Sequence, residues 1–148
     1  MSDFLTSEPS KVIWRYLSDR TGIPWSTDFV GIARVRETDI LGAVGYNGFT
    51  KTSCWMHMAG DHPRWVTREF LMEAFRYPFE QLGLTMVLGT VSSGNIRALN
   101  MDFKLGFKEL IYIPGAHEDG GLHILQMLRE DCRWLRKPHG QEVNSHAA

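Results

Sequence analysis

Apolar residues recur along the chain with a helical period in two well-separated segments. The apolar positions of residues 10–20 fall on one face of a helix. Residues 66–82 carry a wide apolar stripe with spacings of three and four, which predicts a long helix. Pro78 lies inside this stripe and should kink its last turn, and Gly83 suits the left-handed residue that ends a helix.

Between and after these helices the pattern is typical of strands. Residues 29–35, 40–49 and 52–58 are short segments with alternating or β-branched apolar residues, separated by turn-forming residues. They predict an antiparallel meander. Residues 84–91 are nearly all apolar or β-branched, which predicts a central strand buried on both faces.

The remaining segments complete a mixed α/β order. Asn95 suits the N-cap of a helix over 96–105, which Gly106 ends. The last predicted elements are a strand at 107–113, a loop at 114–121, a strand at 122–127 and a helix at 128–135. The chain is thus predicted to form a single domain over 1–137, followed by a polar, flexible tail at 138–148.

Composition narrows the class of protein. The 148 residues suffice for one domain with a real core, and 16 Lys and Arg against 17 Asp and Glu give a net charge of −1. This balance argues against a dedicated nucleic-acid-binding domain, which needs a basic surface. Two cysteines make no disulfide framework, and neither a signal peptide nor a membrane-spanning run is present, so we expect a cytoplasmic protein. Cys54, His57 and His62 lack the spacing of a metal site, and no metal is expected.

The first candidate site is the joint between the 52–58 strand and the long helix. Free backbone N–H groups and the positive end of the helix dipole there form an anion site, and Arg64 and Arg68 add charge. On this segment alone, an ordinary helix start is the simpler interpretation, in which Asp61 or Thr67 is the cap and both arginines are solvated.

The second candidate is the run Asn95-Ile-Arg-Ala-Leu-Asn-Met-Asp-Phe-Lys-Leu-Gly-Phe107. It resembles the Asn-x-x-Ala/Ser segment followed by Lys-Leu-Gly-Phe in the GNAT superfamily of acyl-CoA N-acyltransferases. The order of predicted elements agrees over residues 12–135, and the chain is most similar to short members from bacteria and phages. The resemblance implies a mixed sheet in which an antiparallel meander precedes a parallel strand, with splayed central strands and flanking helices.

The resemblance also implies roles for particular residues, with acetyl-CoA as co-substrate. The backbone N–H of Met58 would polarise the thioester carbonyl, since a fixed donor stabilises the charge that develops on that oxygen. Asn95 would contact the pantetheine arm, and Ala98 would leave room for it. The pyrophosphate would accept hydrogen bonds from the backbone of Arg64, Trp65, Val66, Thr67 and Arg68.

The chain departs from the family's pattern at two places. The segment His62-Pro-Arg-Trp-Val-Thr67 lacks the glycines of the family's Arg/Gln-x-x-Gly-x-Gly/Ala phosphate loop. Asp102 stands where many members have a tyrosine that protonates the leaving thiolate, and a carboxyl is ionised at neutral pH unless it is buried. The first departure concerns the binding of CoA, and the second concerns the identity of the general acid.

Several residues are candidates for the base that deprotonates the acceptor amine. His57 is a candidate, although a packed or hydrogen-bonded strand residue is its simpler interpretation, and Glu37 more simply belongs to a turn. The other candidates belong to a segment that is also readable as a solvated loop: His117, Glu118 and Asp119.

Two hypotheses from different classes follow. In the first, the chain moves an acetyl or similar short acyl group from acetyl-CoA to a primary amine by direct attack in a ternary complex. The acceptor is a small metabolite, a protein amine or a nucleobase, of which the neutral net charge disfavours the last. In the second, the chain is a non-catalytic binding module that keeps the fold. By analogy with the family, a homodimer is a possible assembly. The near-neutral net charge and the lack of a membrane-spanning run lead us to expect no nucleic-acid or membrane partner.

Overall fold

Within the described part of the chain, the fold is a seven-stranded mixed sheet with helices on both faces. The computed structural model describes residues 3–135. The strands follow in the order β1 Phe4–Thr6, β2 Val30–Arg36, β3 Asp39–Asn47, β4 Ser53–Gly60, β5 Met86–Ser92, β6 Lys108–His117 and β7 Gly120–Leu128. The helices are α1 Ser10–Thr21, α2 Arg68–Arg76 and α3 Ile96–Leu105.

The spatial order of the strands is β1-β2-β3-β4-β5-β7-β6. Every neighbouring pair is antiparallel except β4 and β5, which run parallel. The predicted fold class, an antiparallel meander followed by a parallel strand, is confirmed. The predicted tail at 138–148 lies outside the described residues. Within residues 3–135, no helix has the length and apolar character needed to cross a bilayer.

The long helix predicted over 66–82 is shorter in the structure. Thr67 is its N-cap, because its hydroxyl accepts the Phe70 N–H at 3.1 Å. The α-helical part ends at Arg76 and continues as a π-helical turn over Tyr77–Gln81, which accommodates Pro78. Gly83 follows with a φ of 70°, as predicted for the residue that ends the helix.

The last third of the chain is more extended than predicted. β6 and β7 meet at a tight turn around residues 118–119, so the predicted loop at 114–121 is mostly strand. The predicted helix over 128–135 is wrong: only a short 3₁₀ turn, Arg129–Asp131, forms there. The side chains after it cap α3 instead, since the Trp134 indole N–H donates to the Leu105 carbonyl at 2.8 Å.

Two further expectations need correction. The three-residue β1, an exposed strand at the edge of the sheet, was not predicted because three residues show no period. β5 was expected to be buried on both faces, yet its burial alternates and Thr90 is exposed. Thr90 belongs to the part of β5 that has no β4 partner.

The core has one layer on each face of the sheet. On one face, α1 contributes Ile13 and Leu17 to a cluster with residues of β2 and β3. On the other, α2 packs against β3, β4, β5 and β7, and the buried Tyr46 hydroxyl donates to the Ala74 carbonyl of α2 at 2.5 Å. This bond fixes α2 relative to the sheet.

Trp65 joins the loop before α2 to the same core. Its side chain is only 8% exposed and lies over Gly42 of β3 and Gly60 of β4. A Cβ added at either glycine would lie 2.3 Å from the indole. The two glycines therefore let the indole pack directly on the strand backbones.

We predict that Gly42→Ala destabilises the protein by about 1–3 kcal/mol, because the indole of Trp65 has to move out of a packed core. Gly89→Ala is the matched control, since its Cβ would meet no atom closer than 3.9 Å. Urea unfolding followed by tryptophan fluorescence measures both. An unchanged midpoint for Gly42→Ala would contradict the packing described for Trp65.

Candidate functional site

The central feature of the sheet is the separation of β4 from β5. The two strands pair only at Ser53–Met86, Cys54–Val87 and Trp55–Leu88. Beyond this point β4 stays paired with β3 as far as Gly60, and β5 stays paired with β7 as far as Ser92. Each strand thus follows its outer neighbour, and a wedge-shaped gap opens between them. The predicted splayed central strands are present.

A pocket of about 460 Å³ occupies this gap. Its volume is in the range of small-molecule sites. Its walls come from both strands, from α3, from the end of α1 and from the β6–β7 turn. The structure brings five residues of the predicted site together there: His57, Met58, Asn95, Ala98 and Asp102.

The backbone of β4 faces this gap with polar groups. The Met56 carbonyl oxygen lies 3.9 Å from the Cβ position of Gly89 on β5, which places this carbonyl towards the gap. Backbone directions in a strand repeat every second residue, so the N–H of Met58 points the same way. Within residues 3–135, Met58 has no pairing partner on β5.

His57 is held in the pocket wall by a hydrogen bond. Its Nε2 lies 2.9 Å from the Oδ1 of Asn47, the last residue of β3. Burial lowers the pKa of the His57 imidazole to about 4, so the ring is neutral at physiological pH. His57 is both a packed strand residue and a residue of the pocket.

Asp102 forms part of the opposite wall, on α3. Burial raises the pKa of its carboxyl from 3.8 to about 7. From the sequence, Asp102 was expected to be ionised at neutral pH only if its carboxyl was exposed. In the folded protein a large fraction of Asp102 carries its proton at pH 7.

Asn95 and Ala98 define the start of α3. The Asn95 Oδ1 accepts the Ala98 N–H at 3.2 Å, which is the N-cap expected from the sequence. This contact uses the carbonyl end of the side chain. The amide N–H groups of Asn95, a residue of the pocket wall, are left to face other partners.

The loop before α2 differs from the predicted anion site. The Arg64 N–H donates to His62 Nδ1 and the Trp65 N–H donates to the His62 carbonyl, both at 3.1 Å. Trp65 and Arg64 were expected to offer these two amides to a pyrophosphate, and the chain itself occupies them. Within the described chain, the N–H groups of Val66, Thr67 and Arg68 donate to no protein acceptor. These three residues, like Arg64 and Trp65, are not among those that line the pocket.

The remaining base candidates divide between two places. His117 and Glu118 line the pocket at the β6–β7 turn, and Asp119 lies 2.8 Å from the His117 ring, Oδ1 to Nδ1. Glu37 lies in the β2–β3 turn with a φ of 57° and is not part of the pocket wall.

The cysteines and a metal site can be judged on the same geometry. Cys54 is buried in the core, where desolvation raises the pKa of its thiol to about 12. Across residues 3–135, no three His, Cys, Asp or Glu side chains come together in a way that would hold a metal ion.

Sequence reasoning missed part of the pocket. Arg20, Thr21 and Gly22 at the end of α1 lie about 75 residues before the start of α3, and no local pattern connects the two. Gly89 carried a usable signal, because a glycine inside an apolar strand often marks a place where another group approaches the backbone.

Comparison with known proteins gives similarity at the level of structure. No protein-family model and no curated protein sequence matches the chain. A spermidine N-acetyltransferase from Vibrio cholerae, solved in complex with CoA and spermine, superposes with a TM-score of 0.70 at 12% identity, covering 87% of this chain and 96% of that one. A chimera of the Vibrio cholerae enzyme with hSSAT gives 0.71 at 11% identity, covering 88% and 98%.

A third structure covers nearly the whole of both chains. The N152L mutant of the Vibrio cholerae enzyme has a TM-score of 0.69 at 12% identity and covers 97% of this chain and 98% of its own. At such identities the similarity shows the fold alone. In this chain, that fold has one parallel pair within an otherwise antiparallel sheet. The chain has the GNAT fold of these acetyltransferases.

Proposed function

We propose that this chain transfers an acetyl group from acetyl-CoA to a primary amine, by direct attack of the amine on the thioester while both are bound. The observation that carries the proposal is the separation of β4 from β5 after three paired residues, with a pocket of about 460 Å³ in the gap. The Vibrio cholerae enzyme with the same fold was solved with CoA and an amine, spermine, which supports this class of reaction.

The gap is suited to the acyl-pantetheine end of acetyl-CoA. An extended chain with amide groups can enter between two separated strands and use their unpaired backbone groups. In this proposal the N–H of Met58 donates to the thioester carbonyl. Attack by an amine places negative charge on that oxygen, and a donor fixed in a strand stabilises it without reorganisation.

The diphosphate end is assigned to the start of α2. The free N–H groups of Val66, Thr67 and Arg68 lie at the positive end of the helix, and the exposed side chains of Arg64 and Arg68 add two positive charges. This is a narrower cradle than the sequence suggested, because the amides of Arg64 and Trp65 are engaged with His62.

His57 and Asp102 are assigned to proton transfer. His57 is neutral above about pH 4 and accepts the proton that the amine loses. Asp102 has a pKa of about 7 and is the donor to the departing thiolate. Because a general acid works in its protonated form, this contribution to the rate falls as the pH rises through about 7.

The non-catalytic alternative has one observation in its favour, the engagement of two of the five predicted phosphate-binding amides by His62. Calorimetric titration with acetyl-CoA, followed by chromatographic measurement of CoA released in the presence of primary amines, separates the two. The enzyme hypothesis expects saturable binding and amine-dependent release of CoA. Absence of both at millimolar acetyl-CoA would favour the alternative.

Ala98→Leu should weaken acetyl-CoA binding by about tenfold or more, because its added bulk projects from the pocket wall where the pantetheine is placed. Asn100→Leu is the control, since this exposed residue of α3 does not line the pocket and receives a side chain of the same size. Calorimetry measures both affinities. Equal weakening by the two variants would place the donor elsewhere.

Substitutions of Asn95 should separate its cap from its contact with substrate. Asn95→Asp keeps the acceptor for the Ala98 N–H, loses the amide donor and adds a negative charge that the positive end of α3 favours, so we expect stability no lower than the parent's with weaker acetyl-CoA binding. Asn95→Ala loses both, with an added loss of about 1 kcal/mol in stability. Chemical unfolding and calorimetry measure the two effects. Parental affinity in both variants would remove Asn95 from the donor site.

The ionisation of Asp102 is testable through stability. The folded carboxyl keeps its proton up to about pH 7, whereas the unfolded one loses it near 3.8, so this group's contribution to stability falls as the pH rises from about 4 to 7. Asp102→Asn should therefore gain stability relative to the parent over this range. The slope is at most about 1.4 kcal/mol per pH unit, which urea unfolding at several pH values measures.

His57 should show the opposite slope. Its folded pKa is about 4 against 6.5 for an exposed imidazole, so its contribution to stability rises from about pH 4 to 6.5. His57→Gln should lose stability relative to the parent as the pH rises over that interval. The same urea series measures it. If the stability difference between variant and parent changed with pH in the same direction for both variants, the opposite burial effects on His57 and Asp102 would be contradicted.

A further inference from the structure

The side chain of His57 has an unusual setting on β4. Its cross-strand neighbour on β3 is Gly45, which offers no side chain. A Cβ at Gly45 would lie 2.5 Å from the Phe29 ring and 2.7 Å from Leu17, so the α1 core already fills that space. Diagonal neighbours on paired strands are within reach of a long side chain, and Asn47 occupies one of these diagonal positions.

The contact between the two side chains defines which ring nitrogen is protonated. The Asn47 Oδ1 is an acceptor without a hydrogen, and it lies 2.9 Å from His57 Nε2. A neutral imidazole carries one N–H, and burial keeps this ring neutral above about pH 4. The hydrogen is therefore on Nε2, and Nδ1 keeps its lone pair.

We propose that Asn47 is a positioning residue for the proposed acetyl transfer, which holds His57 in the Nε2–H tautomer and leaves Nδ1 as the proton acceptor in the pocket. The inference rests on the proposed function for its catalytic meaning. Its structural half, the tautomer, does not depend on any substrate. Asn47 itself is not among the residues that line the pocket.

The proton balance of this step is simple. As the amine nitrogen bonds to the acyl carbon it becomes a strong acid, and its N–H bond breaks while an Nδ1–H bond forms on His57. The C–S bond then breaks, and the departing thiolate takes the proton of Asp102, which is regained from water. The Nε2–H remains bound to Asn47 throughout, so the ring does not need to turn. The resulting imidazolium is a strong acid in this buried place and passes the proton to water, which restores the neutral ring.

Other ionisable groups share this pocket. They are Arg20 at the end of α1, Asp102 on α3, and His117 and Glu118 at the β6–β7 turn. Arg20 is already paired with Asp61. Among residues 3–135, Asn47 is the residue that hydrogen-bonds the His57 ring, and it does so with a neutral group that leaves the ring uncharged.

The test compares Asn47→Leu, which removes the acceptor at similar size, with Asn47→Asp, which keeps an acceptor and adds a charge. Imidazole ¹⁵N spectra of the full chain, with His57 assigned by its loss in His57→Gln, report the tautomer without any ligand. We expect Nε2–H in the parent, a mixture of tautomers in Asn47→Leu, and Nε2–H with a raised His57 pKa in Asn47→Asp.

Kinetics with acetyl-CoA and a primary amine supply the second readout. We expect kcat to fall by about tenfold or more in Asn47→Leu with KM little changed, and the acidic limb of the Asn47→Asp pH profile to move upward. Asn100→Leu is the matched control for the amide-to-leucine change on an exposed surface. Urea unfolding verifies that each variant is folded.

The outcomes separate the two levels of the argument. An Nδ1–H tautomer in the parent, or a tautomer that Asn47→Leu does not alter, would overturn the positioning role whatever the activity. The Nε2–H tautomer in a protein that binds no acetyl-CoA and releases no CoA would overturn the proposed function, and with it the catalytic meaning of Asn47. Normal kcat in a folded Asn47→Leu variant with mixed tautomers would overturn that meaning alone.

Discussion

The structure depends on a hydrogen-bonding constraint at its centre: β4 has β5 as a partner for only three residues. Backbone polar groups in a sheet need partners, and in most sheets the adjacent strand supplies them. Here β4 is committed to β3 up to Gly60 and β5 to β7 up to Ser92, so neither can turn back towards the other. The backbone groups facing the gap are left for water or a ligand. The pocket and the polarity of its walls follow from this division.

The elements around the gap keep it open without filling it. Gly89 adds no side chain to the β5 wall, and Ala98 adds only a methyl group to the α3 wall. The bulky Trp65 lies instead against Gly42 and Gly60, in the core beneath α2. A tryptophan immediately before a helix could have blocked the gap, and the two glycines give it another place. Glycines on three neighbouring strands thus have two effects. Gly42 of β3 and Gly60 of β4 make room for Trp65 in the core, and Gly89 of β5 leaves the pocket open.

How much of this was predictable depends on whether the cause was local. Residues 96–105 carry a cap, a helical period and a terminal glycine, and the structure places α3 at these bounds. Residues 128–135 also include residue types that favour helices. In the structure, however, the Trp134 indole N–H donates to the Leu105 carbonyl, 29 positions away. The amide of Trp65 was expected to be free because no pattern shows that His62 turns back to accept it. Residue types and spacing thus predicted the elements and most of the pocket, whereas long-range contacts and loop turns decided the rest.

The same burial acts in opposite directions on the two ionisable side chains of the proposed reaction. It lowers the pKa of His57 to about 4 and raises that of Asp102 to about 7, so between these values both are mainly uncharged. A neutral imidazole with a free lone pair and a carboxyl with a proton are a base and an acid in the states that each role needs. An incoming ammonium would lower the pKa of the nearby carboxyl and favour its ionisation, which gives the cation a partner in the pocket. When the ammonium loses its proton, the ionised carboxylate no longer faces a cation. The pKa of Asp102 then rises again, and the carboxyl returns towards its protonated form. Desolvation of one pocket therefore links entry of the amine to the protonation of the group assigned to the leaving thiolate.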